Sequence, residues 1–257
     1  MAPVYADHPF SMVPTPIGRK GSHDKADTFD RVASDMAMVH NLLIRGLNAI
    51  YLQAPYVQAA DEKHFFTFIN LWATLLELHH DSEETDFFPA IETLSGEKGI
   101  MDANVEQHRA FHDGLTELRK FIDDCAAGRE KYNGRHVVEL IDKFGPPLAH
   151  HLADEIPSIE NLRKYGSKLD TLEAMANEEA KSHMKQVGLT GLTVLLTMLD
   201  CDYEGGLWAN WPPAPNIIKL ICRYLIYPFQ KDVVKFSPSD RHGNLKPLYA
   251  VPPEAER

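Results

Sequence analysis

Cysteine is scarce in this chain: Cys125, Cys201 and Cys222 are an odd number, widely spaced, with no CxxC pair. That argues against a disulfide scaffold and for a reducing compartment, so a cytosolic or nuclear protein is expected. Long apolar runs are also missing. The best, Val187 to Leu199, spans 13 residues, short of the roughly 18–20 needed to cross a bilayer, so no transmembrane segment is expected. The first 22 residues carry four prolines and no apolar core of signal-peptide length. There is no Asn-x-Ser/Thr sequon. Basic charge is in deficit, with 26 Lys and Arg against 37 Asp and Glu and a net charge of −11. With no basic stripe interleaved with aromatics, nucleic acid and anionic membranes are poor partners. No glycine-rich phosphate loop, nucleophile elbow or Ser/His/Asp arrangement stands out.

What the chain does have is amphipathic helix. At 257 residues, 44% hydrophobic and 25% charged, it can bury one full core, or a core and an extension. Residues 1–24 are Pro-rich and read as an extended arm. A first helix is predicted from Asp27 to Gln53, before Pro55, with Phe29, Ala33, Met36, Ala37, Leu43, Ile44, Leu47 and Tyr51 on its apolar face and His40 in the middle. A second is predicted from Asp61 to Leu94, a third from Asp102 to near Gly128, and a fourth from Arg135 to Tyr165, bent at Pro146-Pro147. Four such segments over residues 25–166 predict an all-α, up-down-up-down four-helix bundle. Residues 167–257 are predicted to form a C-terminal helical extension. It contains a Gly/Pro/Trp loop (201–215), a further apolar helix after Asn216 and a polar tail with Pro238, Pro247, Pro252 and Pro253.

The chemistry lies in how histidine and carboxylate recur on these helices. In Leu78-His79-His80-Asp81-Ser82-Glu83-Glu84, a histidine precedes a carboxylate by four residues twice over. On a helix that spacing stacks the two side chains one turn apart. A single histidine on an apolar face ordinarily packs or hydrogen-bonds inside a core. Here each of the four helices carries one near the centre of its stripe: His40, the His79/His80 doublet, His108 with His112, and His151 with Glu155. Left unpartnered, these groups would cost roughly 1–3 kcal/mol each. Imidazole with carboxylate is a donor set suited to first-row metals, and seven such groups are too many for one four-coordinate zinc but suit two bridged ions. His151 with Glu155 is the inward pair on the fourth helix and His150 with Asp154 the flanking one. On the second helix, periodicity leaves His79/Glu83 and His80/Glu84 even.

His40, the His79-x3-Glu83 block running into Phe87-Phe88-Pro89, Glu106-Gln107-His108-x3-His112 and His151-x3-Glu155 together resemble the hemerythrin-like domain, over about residues 27–165. The resemblance favours His79 and Glu83 within the doublet. It implies two non-haem iron ions, with His40, His79, His108, His112 and His151 as terminal ligands and Glu83 and Glu155 as bridges. Oxygen-carrying members have an aspartate five residues after the last histidine, where this chain has Glu155 at four. The expected activity is binding of, or reaction with, dioxygen or a similar small molecule such as nitric oxide. Two other uses of such a centre are a di-iron oxygenase or oxidase acting on a small organic substrate roofed by the extension, and an iron or oxygen sensor. The acidic, Gly-rich run Asp200–Gly206 reads as a solvated helix end rather than a second cation site.

Overall fold

The computed structural model describes residues 3–252 and is all-helical; no strand occurs among the described residues, whose isolated β pairing is the bridge Ser239–Leu245. After a short α1 (Pro16–Lys20), the long elements are α2 (Thr28–Gln53), α3 (Glu62–Ser82), α4 (Phe88–Ser95), α5 (Asp102–Ala126), α6 (Gly134–Asn161) and α7 (Leu172–Leu196). Helix α2 packs on α3 and α6, and α5 packs on the same two, so the four close a ring around one core.

Local chemistry sets the boundaries. Asp27 caps α2 in a reciprocal box with Asp30, satisfying two of the free amide groups at a helix start. Asn133 caps α6 by accepting from the amides of Arg135 and His136. Gly96 ends α4 in the left-handed region at φ 75°, which glycine enters without steric cost. Helix α6 runs through Pro146, Pro147 and Pro157. The carbonyls freed four residues earlier lie on Asp142, Lys143 and Ala153, all exposed, where water can replace the lost bonds.

The second predicted helix is interrupted. Between α3 and α4 the backbone widens into a π turn, Glu83–Phe87, with the amide of Phe88 donating to the carbonyl of Glu83. Pro89 at the start of α4 has no amide to donate, so a widened turn before it avoids the clash a regular helix would meet.

The N-terminal segment expected as an arm is laid along α2. Asn41 accepts from the amide of Val13 at 2.7 Å and donates to its carbonyl at 2.9 Å. Asn48 does the same for Phe10, at 3.0 and 2.8 Å. The C-terminal segment is tied to the other end of α2, where Gln53 donates to the Phe236 carbonyl and accepts from the amides of Tyr249 and Ala250. Buried side chains of the extension (Leu192, Val194, Met198, Phe236, Leu248) belong to the same apolar cluster as the four helices. Gly46 makes room for this join: a Cβ there would lie 2.5 Å from Trp72 and 2.7 Å from Met198. The acidic run proves structural, since Glu204 accepts from the amide and hydroxyl of Thr15 and from the Trp208 indole, and Asp200 pairs with Arg45 at 2.8 Å.

Candidate metal centre

Inside the ring, donors from α2, α3, α5, α6 and the π turn converge. His40, Glu83, His151 and Glu155 are fully buried, and His79, His80 and His108 nearly so. Two groups of potential ligand atoms form, each within 4.8 Å: His40, His79 and Glu83; and His80, Glu83, His108 and His151. Glu83 belongs to both. It stands four residues after His79 and three after His80, so from one turn along α3 its carboxylate reaches both sides. Its Oε1 lies 3.1 Å from His79 Nε2 and its Oε2 3.5 Å from His108 Nε2. Glu155 also sits between the groups, its Oε2 3.3 Å from His40 Nε2 and 3.9 Å from His151 Nε2.

Within each group the imidazole nitrogens face one another. His40 and His79 bring their Nε2 atoms to 3.1 Å, and His108 and His151 to 3.0 Å. Two nitrogens bound side by side to one first-row ion at roughly 2.1 Å each would be about 3 Å apart. The opposite edges of three rings are already engaged. His40 Nδ1 is 2.7 Å from the Leu152 carbonyl, His108 Nδ1 2.7 Å from Glu84 Oε1, and His151 Nδ1 3.1 Å from Gln107 Oε1. Each acceptor fixes the proton on Nδ1 and leaves the Nε2 lone pair free, as at metal-bound histidines.

What remains is a deficit of positive charge. Both oxygens of Glu83, both of Glu155 and Nε2 of His80 are buried with no hydrogen-bond partner. Burial, then Glu155, Glu179 and Glu84, push the Glu83 carboxyl well above its ordinary value. Burial, then the neighbouring imidazoles, hold His79 and His80 well below theirs, and His151 is pushed down to about 2. Neutral imidazoles cannot balance two carboxylates; divalent cations can, and would occupy all five orphaned atoms. The residues fit a metal pair.

Six of the seven residues expected as ligands meet here: His40, His79, Glu83, His108, His151 and Glu155. His112 does not, because its side chain is 73% exposed. Helical residues advance about 100° each, so an i+4 step drifts by roughly 40°. The buried stripe of α5 runs Asn104, His108, Phe111, Leu115, Leu118 and Ile122, and Phe111 takes the place beside the centre, 5.0 Å from the His80 ring. His80 supplies the missing imidazole, with its ring 4.4 Å from His108 and 5.1 Å from His151. The doublet was thus not a choice: His79 turns to α2 and His80 to α5 and α6. Glu84 is no ligand but the partner of His108, and His150 pairs with Asp154 on the flank at 3.0 Å.

A family model for the hemerythrin HHE cation-binding domain matches residues 31–156. The Dimeric xanthone biosynthesis cluster protein R11 of Cryptosporiopsis sp. (strain 8999) is 32% identical over 253 residues, covering 97% of this chain and 94% of that protein. The chain belongs to the hemerythrin family. No solved structure matches it. The matched hemerythrin domain holds all seven converging residues, while the relative aligns through the extension as well. As a hemerythrin HHE domain the ring is a cation-binding unit, and no helix among the described residues is long and apolar enough to cross a membrane.

Two residues missed in the sequence approach the hemerythrin centre from α7. Glu179 lies 2.6 Å from Ser82 Oγ, and its field reaches Glu83 while that of His183 reaches His79. Their signal was a carboxylate and a histidine four apart, in the reverse order of the pairs on α3 and α6.

Proposed function

We propose that this protein holds two non-haem iron ions in an up-down-up-down arrangement of α2, α3, α5 and α6, and binds or reacts with dioxygen or a similar small ligand such as nitric oxide. One observation carries the reading: Glu83 is shared by two convergent donor groups, one with two histidines and one with three. Iron is the metal this nitrogen-rich, carboxylate-bridged set favours over magnesium or calcium, and helix-bundle interiors are where paired iron–carboxylate sites are built. When bound, such a pair supplies electrons to a small ligand from two metal ions at once. The chain's part is to fix the imidazoles through Leu152, Glu84 and Gln107. It also keeps bulk water out with Phe87, Phe88 and Phe111, all buried against the core.

A second reading, a di-iron oxygenase or oxidase acting on a small organic substrate, is favoured by the relative's name, which assigns it to a biosynthesis cluster. Metal analysis of protein from iron-supplemented cells tests the common ground: about two irons per chain are expected, and zinc, or well under two irons, would overturn it. Stopped-flow mixing of the anaerobic ferrous protein with oxygen separates the readings. A reversible oxygen-dependent band marks binding, and turnover requiring an added organic substrate marks the enzyme.

A further inference from the structure

The inward stripe of α7 is Leu172, Ala176, Glu179, His183 and Val187, at helical spacing. Ala176 and Val187 pack on the common core. Only the two central positions are polar, and these are the two whose fields reach the metal centre. The stripe lies beyond the matched cation-binding domain.

Two details show that this polarity is engaged with the centre. Ser82 Oγ is 2.8 Å from the carbonyl of His79 and 2.6 Å from Glu179 Oε1. A hydroxyl has one proton to give. Both bonds form together when Glu179 carries its own proton, and burial, with Asp86 and Glu155 against the Ser82 bond, pushes its carboxyl up to about 7. Glu179 therefore tethers α7 to the last turn of α3, at the start of the π turn. One turn further on, His183 Nε2 is buried with no partner. A helix that needed only to cover the bundle would put an apolar side chain there, because an orphaned ring nitrogen costs roughly 1–3 kcal/mol.

We propose that α7 supplies the outer hydrogen-bonding layer for a small ligand taken up at the His40–His79–Glu83 side, with His183 Nε2 bonding the ligand and Glu179 acting as a positioning residue through Ser82. The ligand class is a compact species of two or three heavy atoms with an exposed acceptor. The proposal rests on the metal-loaded centre described above, and its test keeps the two apart. Iron content and melting temperature are measured first on the full chain, for wild type, His183→Leu and His183→Gln. Azide is then titrated into the ferric proteins and followed by its charge-transfer absorption. Expected are equal iron and equal melting, azide binding about tenfold weaker in His183→Leu, and recovery of most of the loss in His183→Gln, whose amide restores a donor. Equal azide affinity in His183→Leu, a loaded wild type with no azide band, or loss of iron in His183→Leu would overturn this proposal alone. A wild type that takes up no iron would overturn the function reading and this proposal with it.

Discussion

On one side of Glu83 stand His40 and His79; on the other stand His80, His108 and His151. The first side is anchored to backbone, with His40 held by the Leu152 carbonyl. The second is held by side chains, Glu84 behind His108 and Gln107 behind His151, with Asp154 accepting from Gln107 in turn. A backbone acceptor is neutral and stiff, whereas a carboxylate adds charge to the imidazole and raises its donor strength. The side with more nitrogens thus also has the more basic ones, and the poorer side keeps more of its coordination free. That poorer side is the one α7 approaches. Inequality between the halves, rather than mere presence of two, is what makes the centre reactive at one end and structural at the other.

Removing the shared carboxylate is the strongest way to break the comparison. In Glu83→Gln both halves lose a charged ligand, and iron is expected to fall below about one per chain, read by metal analysis with circular dichroism showing the helices intact. Next comes the contrast between two histidines. His80→Ala should lose the ion of the three-histidine half and halve the iron, while His112→Ala should leave content and absorption spectrum unchanged. Equal losses would mean that the solvent-facing position of His112 misrepresents its role. A smaller effect is expected from Glu84→Gln, which keeps the hydrogen bond to His108 but removes its charge. Metal affinity on that half should drop about 10-fold to 100-fold, measured by competition with a chelator, with the other half unaffected.

The smallest effect concerns α7 and pH. The Glu179 carboxyl is raised from 4.5 to about 7, chiefly by burial. Between those values the folded chain holds a proton that the unfolded chain has released. The associated stability is complete below about pH 4.5 and is lost as the pH rises through about 7. In the metal-free protein, Glu179→Gln should flatten the fall in urea midpoint across that window. An unchanged slope would place the titration elsewhere.

Residues whose surroundings are one-sided were legible in the sequence; those with two neighbouring surfaces were not. His40, His108 and His151 each lie centrally on a single apolar stripe, so their burial followed from period alone, as did the start of α2 at its Asp27 cap and the end of α4 at Gly96. Helix α3 faces both α2 and α5, and a face-by-face choice between His79 and His80 therefore asked a question with two correct answers. His112 failed because an i+4 partner drifts across the helix surface and Phe111 already filled the inner place. Asn41 and Asn48 read as polar breaks in the α2 face, yet they are what binds the N-terminal segment. Glu179 and His183 were hidden because α7, unlike the bundle helices, has a weak contrast between its faces.

The π turn at Glu83–Phe87 has one more consequence. It amounts to a single surplus residue lodged in an otherwise continuous rod, and everything downstream is rotated by that surplus. Excising one residue there, Thr85 for instance, which is exposed, would let the rod close up into regular winding while Glu83 stayed where it is. Phe87, Phe88 and Ile91 would then swing by about 100° out of the interior. The wall behind the irons would be dismantled without touching any group that holds them.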